Sequence, residues 1–429
     1  MIAEIKNVAV LGASGKMGSL TGGIIAQSGI KVFFLSRTKD GAEAGKRAAI
    51  DQARAEVIGN NIKCGDYTMC LEKALRDADW ILEAVSEDIA IKKSMFAQID
   101  QMRKKTSIVS SMTSSLPLQT LCEGRSESFR AHFLSTHFYN PPSRLLACEI
   151  AGHSATDPAI MEFMKGFLET SLGRVTVTVY DTPAFAGNRI AFLLFSQAAE
   201  AVPQMGVATV DYLLGPYTGR ALSPLLTLDL VGIDIHAVII KTIKEYVQDD
   251  FRAFFSMQNY VNTMLAENKL GNKTPMNGGF YKKDSSKKKF IIDPRHGSYS
   301  EYKRPRMAFV ENAIECIRFG QYFKAFEIII KEPCEEATFI KKILLFYIAY
   351  SFYCIGKVSP VENGIDTIDN VMSSGFNWAP PSVLLSMMGG TVKVKKLMGQ
   401  SSLPIPENLE RFEPKSRLPS NYGKYFIAR

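Results

Sequence analysis

Two ionisable side chains stand out because their neighbours are apolar. His137 closes the run Phe133-Leu134-Ser135-Thr136, and Glu149, twelve residues on, sits inside Leu145-Leu146-Ala147-Cys148-Glu149-Ile150. A carboxylate folded into such a run needs a hydrogen-bond donor, and an imidazole N–H is the economical one. The carboxylate would then fix the ring's tautomer and leave the other nitrogen to act as a general base. Spacing does not by itself pair the two, and a satisfied core histidine beside a strand-edge glutamate fits the same letters. Two neutral polar residues join the candidate catalytic set. Ser114 lies in the hydroxyl-rich stretch Ser111-Met112-Thr113-Ser114-Ser115, and Asn188 follows Asp181-Thr182-Pro183 where a helix is expected to begin. An amide there can hold a substrate oxygen or simply cap the helix.

The elements that would position these groups are clearest at the N-terminus. Val8-Ala9-Val10-Leu11 reads as a strand and Gly12-Ala13-Ser14-Gly15-Lys16-Met17-Gly18 as a tight turn opening a helix to Gln27, with Gly29 as its stop. Val32-Phe33-Phe34-Leu35 is the next strand. This is the first βαβ unit of a doubly wound α/β sheet, whose glycines admit a pyrophosphate and whose helix N-terminus offers it N–H groups. Gly12, Gly15, Lys16, Met17 and Gly18 are therefore candidate cofactor contacts. The pattern is one residue longer than G-x-G-x-x-G, and the second strand ends in Ser36-Arg37 where an NAD site usually places an acid. A guanidinium and a hydroxyl suit a 2′-phosphate, so the expected cofactor is NAD or NADP.

Strand and helix continue to alternate to about residue 150. Ala78 to Val85 and Thr106 to Ser110 read as strands, and the first leads through Ser86-Glu87-Asp88 into a helix carrying Lys92. Groups at the carboxyl ends of parallel strands face the ligand crevice, which selects Glu87 and Lys92 as further cofactor candidates and supports Ser114. Gly41 to Ile58 reads as a surface helix with solvated charges.

Composition sets the class. A chain of 429 residues with 46% hydrophobic, 22% charged and 10% aromatic side chains is folded and multidomain. Seven cysteines without CxxC or Cys/His spacing indicate neither a disulfide framework nor a metal site. No apolar leader or membrane-length run is evident, so a cytoplasmic protein without stable membrane insertion is expected. The net charge of +8 suits phosphate-bearing small molecules, and no nucleic-acid motif accompanies it.

After Asn188 long apolar helical periodicity replaces the alternation, which predicts an α/β domain over 1–186 followed by an all-α region. Gly206-Val207-Ala208-Thr209-Val210-Asp211 is echoed by Gly364-Ile365-Asp366-Thr367-Ile368-Asp369, and each continues to a proline and a glycine: Pro224 and Gly232, Pro381 and Gly389. The echo suggests two related helical units, 187–285 and 335–429, joined by a linker with connecting helices over 286–334. Lys287-Lys288-Lys289 in that linker is expected to be a solvated charge run, and Ile343 to Tyr350 helix-core material.

These residues together resemble the 3-hydroxyacyl-CoA dehydrogenase family. The resemblance rests on the glycine loop, Glu83-Ala84-Val85-Ser86-Glu87 with Lys92, Thr113-Ser114-Ser115-Leu116, Thr136-His137-Phe138-Tyr139-Asn140-Pro141, Glu149, and Asp181-Thr182-Pro183 with Asn188-Arg189. Glu123-Gly124-Arg125-Ser126 through Phe133 is similar to the long bacterial branch, in which an enoyl-CoA hydratase unit often accompanies the dehydrogenase; no extension of that length is present, so hydration is not expected. The resemblance implies reversible oxidation of a 3-hydroxyacyl-CoA to a 3-oxoacyl-CoA, with His137 and Glu149 as the catalytic dyad and Ser114 and Asn188 on the substrate oxygen. It further implies that tandem helical units replace a partner subunit, favouring a monomer over a homodimer. Met112, the longer glycine loop and Ser36-Arg37 depart from the family pattern. A dehydrogenase for another small 3-hydroxy acid or sugar acid, and a non-catalytic nucleotide sensor, are the competing readings.

Overall fold

The computed structural model describes residues 4–413, 418–419 and 421–428. The chain divides into two compact units, Met1–Phe185 with Ser374–Phe376, and Ala186–Ser373 with Asn377–Arg429.

The first unit is built on eight strands: β1 (Asn7–Leu11), β2 (Lys31–Ser36), β3 (Ile62–Asp66), β4 (Trp80–Glu83), β5 (Ile108–Ser111), β6 (Phe133–Phe138), β7 (Ala147–Gly152) and β8 (Val175–Thr178). Their order in the sheet is β3-β2-β1-β4-β5-β6-β7-β8. The first six form the 3-2-1-4-5-6 parallel arrangement of dinucleotide-binding sheets, so the carboxyl ends of β1 and β4 flank the topological switch point. Between the strands lie α1 (Lys16–Gln27), α2 (Lys39–Ala53), α3 (Tyr67–Asp77), α4 (Ile89–Met102), the short α5 (Leu118–Leu121) and α6 (Glu127–Ala131), and α7 (Pro158–Leu172). Thr38, Asp66 and Asp88 cap α2, α3 and α4 by accepting from backbone N–H groups, which fixes where each helix leaves its strand. Val8, Val10, Phe34, Trp80, Leu82, Ile108 and Leu134 form the buried core.

The parallel pattern ends at β6. β7 runs antiparallel to it, with Leu134 opposite Gly152 and His137 opposite Glu149, and β8 then runs parallel to β7. Sequence periodicity gave no sign of this reversal.

The second unit opens with α8 (Phe185–Met205), α9 (Val207–Leu213), α10 (Pro224–Val231), α11 (Ile233–Tyr246) and α12 (Asn259–Ala266). It continues through α13 (Ala308–Arg318), α14 (Tyr322–Lys331), α15 (Glu335–Cys354), α16 (Gly364–Gly375), α17 (Pro381–Met387), α18 (Gly390–Gln400) and α19 (Glu407–Glu410). The succession α8 to α11 is repeated by α15 to α18. Gly206 (φ +79°) and Gly364 (φ +53°) occupy the corresponding junctions, as do Gly232 (φ +110°) and Gly389 (φ +100°), conformations that a side chain would strain. Proline is the first residue of both α10 and α17, where its missing N–H costs nothing. The helical unit is duplicated.

The all-α expectation fails between the two copies. β9 (Tyr281–Lys283), β10 (Lys289–Ile292) and β11 (Tyr299–Glu301) form an antiparallel sheet in the order β11-β10-β9. Two of these strands occupy the stretch expected to hold a linker and connecting helices. Lys289 is half-buried, with its ammonium 4.0 Å from the Tyr281 ring centroid and 4.6 Å from that of Tyr302. That residue of the lysine run is therefore packed on aromatic faces and not merely solvated. α15 is long and apolar enough to cross a membrane, but 78% of its most apolar window is buried within the fold, as core material would be.

Candidate active site

The glycine loop follows β1 directly. Gly12 has φ +81°, and a Cβ there would stand 2.4 Å from the Ala84 carbonyl oxygen at the end of β4. A Cβ on Gly18 would approach the Gly12 carbonyl to 2.6 Å. The turn closes through Gly15 N–H to Gly12 O at 2.9 Å, and no side chain caps α1, whose first residues are Lys16 and Met17. An uncapped helix N-terminus beside a backbone with no room for a side chain fits the pyrophosphate of a dinucleotide.

Two supports of this loop are invisible in the glycine spacing. Gly12 N–H also donates to the Tyr67 hydroxyl at 2.8 Å, from the first residue of α3. Gly45 lets α2 cross the loop, since a Cβ there would lie 2.0 Å from the Ala13 carbonyl oxygen. The helix read as a solvated surface element thus packs on the loop through a glycine.

At the tip of β2, Ser36 is buried and its hydroxyl donates to the Thr38 carbonyl at 2.5 Å, whereas Arg37 is exposed. Of the two residues proposed to choose between NAD and NADP, only the guanidinium is open to a ligand.

Glu87 and Lys92 are brought together by a third residue. Glu83, fully buried at the end of β4, accepts from Lys92 Nζ at 2.7 and 3.0 Å, from Ser111 Oγ at 2.6 Å and from Val85 N–H at 2.7 Å. Lys92 also lies 3.4 Å from Glu87 Oε2 and is 1% exposed, so its charge is spent on the protein. Glu87 Oε1 accepts from Thr113 Oγ1 (2.7 Å), Ser114 N–H (2.9 Å), Ser115 N–H (3.1 Å) and Ser115 Oγ (3.0 Å). Burial alone would raise the Glu87 pKa, but the Lys92 ammonium and these donors hold it below the ordinary carboxylate value. The pair anchors the loop that carries Ser114.

The antiparallel register of β6 and β7 brings His137 and Glu149 together. His137 Nδ1 lies 2.8 Å from Glu149 Oε2, with the histidine 6% exposed and the glutamate wholly buried. The same oxygen accepts from the Tyr139 hydroxyl at 2.7 Å. Burial, and then the Glu149 charge, push the Tyr139 phenol well above its usual range, so it remains a donor at neutral pH. Tyr139 is a partner that sequence reasoning missed; its two-residue offset from His137 was the available signal.

His137 Nε2 makes no hydrogen bond among the described residues. The imidazole is packed by Tyr139, at 4.9 Å between centroids, and by Phe185, at 5.6 Å. Phe185 is delivered by strained backbone: Ala184 and Phe185 have φ +64° and +46°, consecutive left-handed residues without a glycine. Asn188 belongs to the second unit, three residues into α8, and is 8% exposed.

A dinucleotide-binding sheet, a glycine loop leading into an uncapped helix, and a buried imidazole–carboxylate pair together have the architecture of the NAD(P)-dependent oxidoreductases. Residues 7–182 match the family model described as the NAD-binding domain of 3-hydroxyacyl-CoA dehydrogenase, and residues 185–283 match that of its C-terminal domain. The chain belongs to the 3-hydroxyacyl-CoA dehydrogenase family. A probable 3-hydroxyacyl-CoA dehydrogenase of Bacillus subtilis is 33% identical over 407 residues, covering 88% of this chain and 50% of that protein. One from Deinococcus radiodurans is 34% identical over 299 residues, covering 66% of this chain and 85% of that protein. This chain therefore spans about half the length of the Bacillus relative. The crystal structure of a 3-hydroxybutyryl-CoA dehydrogenase from Escherichia coli K12 shares the fold, with a TM-score of 0.67 at 20% identity over 96% of this chain and 97% of that one.

Proposed function

We propose that this chain oxidises a 3-hydroxyacyl-CoA reversibly to the 3-oxoacyl-CoA, with NAD or NADP as the redox partner. One observation carries the reading: Glu149 Oε2 holds His137 Nδ1 at 2.8 Å. That contact assigns the ring proton to Nδ1 and leaves the Nε2 lone pair as a base. His137 takes the proton of the 3-hydroxyl, and Glu149 stabilises the imidazolium that results. In the reducing direction the same imidazolium returns the proton. When bound, the nicotinamide supplies the hydride chemistry. Ser114 and Asn188 are assigned to the substrate oxygen on the strength of the family resemblance. Gly12, Gly15, Lys16, Met17 and Gly18 hold the pyrophosphate, Arg37 meets the adenosine ribose, and Glu83, Glu87 and Lys92 set the loop between them.

The test follows nicotinamide absorbance with short- and long-chain 3-hydroxyacyl-CoAs, each with NAD and NADP. His137→Ala is expected to lower kcat by about 10²–10⁴-fold, the usual contribution of a general base. Absence of CoA-dependent turnover, or equal turnover in the variant, overturns the assignment. Arg37→Asp should shift preference from NADP toward NAD, and an unchanged ratio removes the guanidinium from cofactor choice.

A monomer in the cytoplasm completes the proposal. Within the second unit, Ala379 N–H donates to Gly219 O at 2.8 Å, and the Arg220 guanidinium lies 5.2 Å from the Trp378 ring, so the two helical copies cover one another. Sedimentation at a single-chain mass and cell fractionation check these two points.

A further inference from the structure

We propose that the second helical copy takes part in the chemistry by supplying Tyr350 as a positioning residue, which through Asp249 and Arg189 holds the N-terminal turns of α8, and with them the Asn188 amide. The inference rests on the role given above to Asn188.

Three elements of the second unit meet at one carboxylate. Tyr350, from the C-terminal part of α15, donates to Asp249 Oδ2 at 2.8 Å. Arg189, the residue after Asn188 on α8, lies with Nη1 3.5 Å from the same oxygen. Asp249 Oδ1 accepts from Phe251 N–H at 3.0 Å, which fixes the carboxylate from its other side. All three side chains are buried: those of Arg189 and Asp249 are 6% and 4% exposed, and Tyr350 is inaccessible.

A charge pair taken out of water survives only with good geometry and further donors, and the phenol and the amide supply those donors here. The Tyr350 ring is itself clamped, with the Phe251 centroid at 4.9 Å and that of Phe255 at 5.7 Å. A hydroxyl on a clamped ring is a fixed point. Catalytic contacts tolerate about 0.5 Å of error, so a carboxylate fixed by that hydroxyl and paired with Arg189, the neighbour of Asn188, bears on its aim. Without the second copy, nothing on α15 would hold this end of α8.

Tyr350→Phe keeps the packed ring and removes only the hydroxyl. It should lower kcat about 10-fold, within the 10²-fold that a 1 Å misplacement costs, with the Kd for the nicotinamide cofactor unchanged. In the Asn188→Ala background the same substitution should cost nothing further. Asp249→Asn should behave alike, while Tyr353→Phe, whose hydroxyl accepts from Asp250 N–H at 3.2 Å, should keep full kcat. Hydrogen–deuterium exchange over 186–195 should quicken in Tyr350→Phe, a readout that needs no turnover.

An unchanged kcat, a full additional loss in the Asn188→Ala background, or unchanged exchange overturns the positioning role. Loss of dehydrogenase activity on every 3-hydroxyacyl-CoA in the wild-type protein would instead overturn the functional reading. The exchange arm separates these two failures.

Discussion

The two helical copies share a backbone solution but bury different chemistry. Asp211 and Asp369 each stand five residues after a left-handed glycine and each accept from the start of the following proline-led helix. Asp211 takes Leu225 N–H at 2.8 Å and Leu226 N–H at 3.0 Å, and Asp369 takes Ser382 N–H at 3.1 Å together with its hydroxyl. Beyond that the copies diverge. Three residues before Gly232 is Asp229, and four after it is His236; the same offsets from Gly389 give Ser386 and the exposed Lys393.

The small sheet accounts for part of the difference. Asp229 accepts from Phe280 N–H at 2.8 Å and Tyr281 N–H at 2.7 Å, securing the entry to β9, and the Tyr281 hydroxyl donates to Asp211 at 2.7 Å. His236 is stacked on Phe192, and neither of its ring nitrogens has a hydrogen-bond partner among the described residues. A duplicated template thus tolerates buried polar groups where an added element supplies donors, and His236 shows that one can persist without any.

The largest expected effect tests the shared aspartates. Asp211→Ala unpairs the Leu225 and Leu226 N–H groups and the Tyr281 hydroxyl and should cost about 4 kcal/mol, at 1–3 kcal/mol each. Asp369→Ala, through the Ser382 N–H and hydroxyl contacts, should cost at least about 2 kcal/mol on the same scale. Urea denaturation compares them, and equal losses would break the contrast between the copies.

Next comes pH. Burial raises the Asp229 pKa to about 7, so its contribution is fully present below the ordinary value of 3.8 and is lost as pH rises through 7. Burial lowers the His236 pKa to about 4, so its contribution is present above the ordinary 6.5 and is lost as pH falls toward 4. Between these limits the two oppose one another. His236→Phe should make stability fall with rising pH between 4 and 7, and Asp229→Asn should make it rise between 4 and 6.5, each by about 1.4 kcal/mol per pH unit. Denaturation midpoints across this range with slopes of the same sign would show that the pair does not compensate.

Gly232→Ala and Gly389→Ala should each cost about 1–2 kcal/mol, because both copies place these residues at positive φ. A cost confined to one copy would mean that only that junction is constrained. The smallest effect has the opposite sign. Ala184→Gly should stabilise the protein by about 1 kcal/mol in thermal unfolding, since Ala184 holds without a glycine the positive φ that the copies reserve for one.

Much of the dinucleotide-binding end was legible, because a glycine loop between two apolar strands leaves the chain few alternatives. The arrangement of His137 and Glu149 was not. Their contact depends on β7 running antiparallel to β6, a direction that eleven intervening residues do not encode. Lys92 reads as a ligand-facing cation and is enclosed by Glu83 and Glu87, because the glutamate at the end of β4 is buried where its sequence neighbours Ser86, Glu87 and Asp88 suggest a polar edge. β9 to β11 escaped because three- and four-residue strands rich in lysine carry too little alternation, and their stabilising contacts are cross-strand and cation–aromatic.

Thr113, Ser114 and Ser115 are chemically near-degenerate, and nothing in three consecutive hydroxyls says which one is meant for a ligand. Glu87 resolves the degeneracy by subtraction. Its Oε1 takes the hydroxyls of Thr113 and Ser115 and only the backbone N–H of Ser114. The Ser114 hydroxyl takes no part in this network, and it makes no hydrogen bond among the described residues. The carboxylate therefore works as an address, marking one of three equivalent groups by occupying the other two.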